Sequence, residues 1–491
     1  AWQMLGFSYR NRKEKNMKKI LWGGATSSSQ YEGGYDLGHK GLDTQDCRPF
    51  LPGNSQSTTQ TRLLNKQTVN QAKNYNGVGH YPFRQGSDGY NHFKEDIELL
   101  KELGINIYRF SISWARVFPN GDEHYPNEEA LQYYDQVIKQ LKAANIKVFI
   151  TINHYAIPLH LVEKYGGWKN RRMIDFYLRF AKTLLDRWKY DVDYWLPFNE
   201  INAGYFSPYN GVGLMKENDE EYNQSEIFQS LHHQFIASAK IIKYGHQHVK
   251  GQFGCMVASF CYYALTPKPE DNLKLIQDEN YYQWFCMDVL SRGYYPAYMK
   301  RFFFEHNIDI SITPSDKELL LQNTSDFIAF SYYSSSVVVF EEAHQTAGNL
   351  VATIKNPYLK ATKWGWQIDP IGIRVSLNRF YNRYQKPIII AENGLGNQDT
   401  LEMDKTIHDT YRIKYLQEHF HQIQEAQKDG VDIIAYCLWG IIDIVSAGSC
   451  EMEKRYGVIY VDADNKGRGS YCRYKKDSFY WYQQFIEKYH Q

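Results

Sequence analysis

Glu200 and Glu392 each close a short apolar run. The first is Tyr194-Trp195-Leu196-Pro197-Phe198-Asn199-Glu200; the second is Pro387-Ile388-Ile389-Ile390-Ala391-Glu392-Asn393-Gly394. Both runs read as strands buried in a parallel sheet. A carboxylate at such a strand end is costly to bury unless it is paired or solvated. Alone, either Glu reads more readily as a capping or salt-bridged group. Two of them in equivalent settings, far apart in the chain, point to one shared site. An acid/base carboxyl facing a nucleophilic carboxylate is the arrangement that cleavage of a glycosidic bond needs.

The elements that must hold the pair can be read along the chain. Apolar runs recur at Ile20–Gly24, Ile107–Ile112, Val148–Ile152, Tyr194–Phe198, Phe253–Ala258, Phe327–Tyr333, Ile388–Ala391 and Ile433–Leu438. Segments with charged and apolar residues at helical spacing lie between them: Tyr90–Leu103, Asn127–Ala144, Arg172–Tyr190, Ser225–Val249, Asn280–Asn307, Gly372–Tyr384 and Thr410–Asp429. Strands alternating with helices imply parallel βαβ units, and eight such strands imply an α/β fold, a single (β/α)8 TIM barrel with long loops on its C-terminal face. The polar stretch Gly53–Asn76 reads as one of those loops. On this count Glu200 ends strand 4 and Glu392 ends strand 7, so both face the barrel mouth.

Composition narrows the classes. The chain has 491 residues and a formal net charge of +1, which argues against a general nucleic-acid surface. No apolar stretch approaches the roughly 18 residues of a membrane span. Its 41 Tyr and 11 Trp fit core and surface filling as well as they fit sugar recognition. Seven scattered Cys, with no CxxC pair, read as free thiols of a reducing compartment, so a cytoplasmic location is expected. Residues 1–19 read as an N-terminal extension without a signal-peptide core, and residues 20–491 as the catalytic barrel. Met17 is a candidate native start, which leaves the preceding residues either a non-native tail or an upstream extension.

Five motifs in order carry a family resemblance. They are Leu21-Trp22-Gly23-Gly24-Ala25-Thr26-Ser27-Ser28-Ser29-Gln30-Tyr31-Glu32-Gly33-Gly34, then Tyr108 to Arg116, Asn153-His154-Tyr155, Pro197-Phe198-Asn199-Glu200 and Ala391-Glu392-Asn393-Gly394. Together they resemble glycoside hydrolase family 1. The resemblance implies a retaining double displacement, with Glu392 as nucleophile, Glu200 as acid/base and the carboxyls roughly 5–5.5 Å apart. It implies that Asn199 bonds the sugar hydroxyl beside the anomeric centre and that Tyr333 contacts the nucleophile. Arg109 on strand 2 is expected to keep the pKa of Glu392 low, and the Glu392 charge to raise that of Glu200. Gln30 and His154 match positions that hold the distal hydroxyls of the glycone, and Trp439 matches the floor of its pocket. Such chemistry needs carboxylates and water, with no cofactor and no metal.

One departure bears on the substrate. Where β-glucosidases of the family carry Glu-Trp, this chain has Ser446-Ala447, followed by Lys454-Arg455-Tyr456. Loss of the anion removes repulsion toward an anionic sugar group, and Ser446, Lys454 and Tyr456 offer a small phosphate site. The element resembles the Ser and Lys-x-Tyr of the 6-phospho-β-glycosidases in the family. The small Ala447 suits a glucose-configured sugar, and Trp366, in Trp364-Gly365-Trp366, suits an aglycone wall. The expected activity is hydrolysis of 6-phospho-β-glucosides. A 6-phospho-β-galactosidase, an unphosphorylated β-glucosidase and a non-catalytic sugar-phosphate-binding protein stay open as alternatives. A homo-oligomer is compatible with the sequence.

Overall fold

The computed structural model describes residues 18–490 apart from 54–63, 78, 219, 342–344 and 347–352. The expected N-terminal extension therefore lies, but for Lys18 and Lys19, outside the described residues. Eight strands close a barrel: β1 Leu21–Ala25, β2 Ile107–Ser111, β3 Lys147–Asn153, β4 Tyr194–Phe198, β5 Gln252–Ser259, β6 Phe327–Tyr332, β7 Ile388–Asn393 and β8 Ile433–Trp439. Each strand pairs in parallel with its sequence neighbours, and β8 closes on β1 through Leu21 to Ala435 and Ala25 to Trp439. All eight expected runs became barrel strands. They are β-branched and aromatic, and nearly every residue in them is buried, as a sheet covered on both faces requires.

The outer layer includes α1 Lys66–Lys73, α2 Gly89–Leu103, α3 Glu128–Ala143, α4 Met173–Arg187, α5 Gln224–His248, α6 Phe285–Arg292, α7 Tyr298–Glu305, α8 Pro370–Tyr384, α9 Thr410–Lys428 and α10 Asp477–His490. Four of these, α1, α6, α7 and α10, correct the sequence reading. The described part of Gly53–Asn76 is not all loop, because α1 begins there on a capping box between Asn65 and Thr68. The segment Asn280–Asn307 is not one helix. A π-helical turn at Glu279–Trp284 leads into α6, which stops at Gly293 (φ +83°), and Pro296 precedes the restart in α7. The C-terminal α10 was not among the expected helices. It packs beneath the barrel wall, where the Tyr482 hydroxyl donates to the Gly23 carbonyl at 3.0 Å.

A smaller sheet from the loops after β5 and β6 joins Tyr262–Ala264, Ser336–Val338, Thr353–Ile354 and Gln345–Thr346. It extends the loop structure around the mouth expected of this architecture. Among the described residues no helix is long and apolar enough to cross a membrane.

Candidate active site

Glu392 is placed by an irregularity in β7. Against β6, Ile390 pairs with Phe330 and Glu392 with Ser331, so one extra residue, Ala391, is inserted between them. Such a bulge re-aims the side chain that follows it. The carboxylate meets the Arg109 guanidinium at 2.6 Å and accepts from the Tyr333 hydroxyl at 2.7 Å. Arg109 is fully buried on β2, and its second arm donates to Asn199 Oδ1 at 2.6 Å. One guanidinium therefore ties the end of β7 to the end of β4.

Glu200 lies two residues beyond β4 in a tight turn closed by Ala203 N–H to the Glu200 carbonyl at 2.7 Å. Its φ is +32°, unusual for a side-chain-bearing residue and characteristic of sites where the surrounding structure enforces function. Ser331 donates to one carboxylate oxygen and Tyr155 to the other, which Asn199 Nδ2 also approaches at 3.4 Å. Burial, and then the Glu392 charge, push the Glu200 pKa up to about 7, with Ser331, Tyr155 and Arg109 acting against them. The expectation for Glu392 needs correction. Burial raises its pKa, and Arg109 and Tyr333 offset that rise without reversing it. Among the described residues Glu200 has no cation in ion-pair contact while Glu392 has Arg109, an asymmetry that favours the shared proton on Glu200.

The mouth above the pair is lined by Gln30, His154, Tyr155, Tyr333, Trp366, Trp439, Ala447 and Tyr456. Trp439 stacks on His154 with centroids 5.5 Å apart and planes 18° from parallel. Burial, and then the Arg109 charge, hold the His154 pKa well below its ordinary value, so the ring is neutral. Gln30 is fixed by Ser27 and by the Val445 carbonyl, each at 2.7 Å. Trp366 lines the pocket between Tyr333 and Tyr456, whereas Trp364 turns away and donates its indole N–H to Glu451 at 2.9 Å. Sequence reasoning missed Arg48 and Asn210, which also line the pocket. Gln45 joins them: Arg48 donates to its carbonyl oxygen at 2.8 Å, and its amide donates to Asn210 at 3.1 Å. Arg48 also donates to the Ala447 carbonyl. No local motif marks these residues, because long-range folding brings them to the mouth.

Ser446, Lys454 and Tyr456 do come together. The Ser446 and Tyr456 hydroxyls are 3.2 Å apart. Lys454 Nζ lies 3.8 Å from the Trp366 ring centroid and 5.8 Å from that of Tyr456, behind the pocket wall rather than in it. Gly396, just after β7, permits this. A Cβ there would stand 2.7 Å from Lys454 Cε. Lys454 is 3% exposed and makes no ion pair among the described residues. Burial brings its pKa down to about 7, with Glu451 acting the other way.

Comparison with known proteins decides the family. The glycosyl hydrolase family 1 model matches residues 13–491. The chain belongs to glycosyl hydrolase family 1. Among similar proteins, the Bacillus subtilis aryl-phospho-β-D-glucosidase BglH is 46% identical over 472 residues, covering 95% of this chain and 96% of that one. The Klebsiella oxytoca phospho-cellobiase is 42% identical, covering 95% and 97%. The family 1 β-glucosidase from Thermotoga maritima superposes with a TM-score of 0.80 at 27% identity, covering 96% of this chain and 99% of that one.

This family 1 hydrolase carries a buried ionic frame behind residues 454–456. Lys476, fully buried, contacts Asp399 at 2.6 Å and Asp443 at 2.9 Å. Arg412 pairs with Asp399 and Asp409 and donates to the carbonyls of Arg455 and Tyr456. Arg455 pairs with Asp443. Replacing Lys476 with Ala leaves two buried carboxylates short of a cation. It is expected to destabilise the enzyme by about 3–5 kcal/mol, read in denaturant unfolding. A loss below about 1 kcal/mol would mean that the frame tolerates the missing charge.

Proposed function

We propose that this enzyme hydrolyses 6-phospho-β-glucosides with retention of configuration. The observation that carries the phosphate is Lys454, a buried amine with no ion-pair partner among the described residues, held against Trp366 behind the wall that also carries Tyr456, whose hydroxyl lies 3.2 Å from that of Ser446. A buried, unpaired cation is expensive. A site that retains one next to two hydroxyls suits a ligand that supplies the missing anion. Burial keeps the Tyr456 phenol protonated and therefore a donor. The activities for which the Bacillus subtilis and Klebsiella oxytoca relatives are named point the same way.

In the proposed reaction Glu392 attacks the anomeric carbon while Glu200, protonated, gives its proton to the departing oxygen. Water then attacks the glycosyl–enzyme ester as Glu200 takes the proton back. Arg109 and Tyr333 hold the nucleophile through both steps, and Arg109 fixes Asn199 Oδ1, which leaves its amide N–H for a sugar hydroxyl. Gln30, His154 and Trp439 form the glycone wall. Ala447, facing the pocket without bulk, favours the gluco over the galacto epimer. The free state of all seven cysteines, six of them buried, supports the cytoplasmic reading.

The test is turnover of three nitrophenyl substrates: the β-glucoside, its 6-phosphate and the β-galactoside 6-phosphate. The gluco 6-phosphate is expected to have the highest kcat/KM. Equal or better turnover of the unphosphorylated compound would overturn the phosphate assignment, and faster galactoside turnover would overturn the epimer preference. Proton NMR of the first-formed sugar product is expected to show the β-anomer.

A further inference from the structure

The two carboxylates differ in the kind of partner that holds them. Glu392 is bound on one oxygen by the Arg109 guanidinium, which can only donate and so favours the anion, and on the other by the Tyr333 hydroxyl. Glu200 is bound on one oxygen by Ser331 and on the other by Tyr155, both hydroxyls. A hydroxyl can donate to a carboxylate and, after rotating, accept from a carboxylic acid. Asn199, at 3.4 Å, is the remaining polar neighbour of the same oxygen as Tyr155.

Tyr155 reaches Glu200 through a backbone that sequence alone does not favour. Its φ is +64°, in the left-handed region, which is costly for a bulky residue and persists where surrounding contacts enforce it. Here the Thr44 hydroxyl donates to the Tyr155 carbonyl at 3.2 Å, and the ring stands edge-on to His154 at 5.2 Å. The phenol is thereby turned toward the carboxyl at the end of β4.

We propose that Tyr155, with Ser331, is a positioning residue for the acid/base carboxyl, giving Glu200 a partner that remains hydrogen-bonded in both of its protonation states. The proposal rests on the reading of Glu200 as acid/base. In the first step the Glu200 proton leaves its hydrogen bond to Tyr155, passes to the departing oxygen, and Tyr155 turns from accepting to donating. In the second step the proton of water returns to Glu200, and Tyr155 turns back. Tyr155 gains and loses no proton. Among the described residues, the other charged or titratable groups facing Glu200 include Glu392 on β7, Arg109 on β2 and Tyr333 after β6.

Tyr155→Phe keeps the ring and removes the hydroxyl. The Glu200 carboxylate then loses a donor, so its pKa rises, and the alkaline limb of kcat/KM moves up by about 0.5–1 pH unit. Deglycosylation and leaving groups that need a proton slow down, while a dinitrophenyl leaving group, which needs none, slows less in the first step. Ser331→Ala is expected to move the limb in the same direction. It keeps the test open if Tyr155→Phe folds poorly. A purely structural role would lower kcat for all leaving groups alike and leave the midpoint in place. That result in both variants overturns the proposal. Glu200→Gln separates the two claims. If it loses the alkaline limb, the acid/base reading stands whatever Tyr155 does. If it keeps the limb, that reading and this proposal fall together.

Discussion

Glu392→Gly is expected to abolish turnover, with kcat lowered by at least about 10⁴-fold. The expectation rests on position as well as residue type. The bulge at Ala391 turns the carboxylate inward, and Arg109 and Tyr333 engage both of its oxygens. Glycine removes the nucleophile and leaves space for a small anion beside the Arg109 guanidinium. Azide added to the variant is therefore expected to restore cleavage of an activated aryl substrate, attacking from the face the carboxylate used. The product would be the α-glycosyl azide, identified by NMR. Glu200→Gly with azide is expected to give the β-azide instead, because the glycosyl–enzyme ester still forms on Glu392. Retained turnover in Glu392→Gly, or a β-azide from it, would refute the nucleophile assignment.

Lys454→Met is expected to weaken catalysis and strengthen the fold. A charged contact to phosphate is worth roughly 1.5–3 kcal/mol, so kcat/KM for the 6-phosphate should fall about 10–150-fold. Its ratio to that of the unphosphorylated glucoside should fall with it. The stability sign follows from burial. The ammonium titrates at about 7 in the fold against an ordinary value of 10.5. The charged form therefore penalises the folded state fully below about pH 7, partially between 7 and 10.5, and not above. Methionine fills the same space between Trp366 and Tyr456 without the charge, so the ligand-free variant should melt higher than the parent. The gap should widen from pH 9 down to pH 6, by a few kcal/mol in all. Inorganic phosphate should narrow it by binding the parent selectively. A lower melting temperature at every pH would show that Lys454 is part of the structural core. An unchanged substrate ratio would remove it from phosphate recognition.

Much of this was legible in the sequence, for a physical reason. The barrel strands are continuous apolar runs rich in Ile, Val and Phe, and burial on both faces leaves few other readings. Glu200, Glu392 and Ser446 to Tyr456 are local strings whose chemistry travels with their residue types. The elements that were missed lack such a signature. Helix α1 is polar along most of its length, and only Asn65 and Thr68 mark its start. The break between α6 and α7 is five residues long, marked by Gly293 and Pro296 inside an otherwise helical pattern. Arg48 and Asn210 reach the mouth through contacts spanning more than a hundred residues. The Tyr155 to Glu200 contact depends on two left-handed backbone angles that no pattern of side chains announces. Arg109 alone implies a depressed Glu392 pKa, but the burial that accompanies the contact outweighs it.

The ionic frame behind the loop sets a limit on protein engineering. Residues 446–456 look like a portable cassette of eleven positions. Their backbone, however, hangs from Arg412 on α9, and Arg455 shares Asp443 with Lys476, next to the first residue of α10. Gly396 after β7 supplies the channel for the lysine stem. Moving the segment alone into another barrel would transfer the anion-seeking groups without their scaffold. A working transplant has to carry Gly396, Asp399, Asp409, Arg412, Asp443 and Lys476 as well, so specificity here is inherited as a three-dimensional unit.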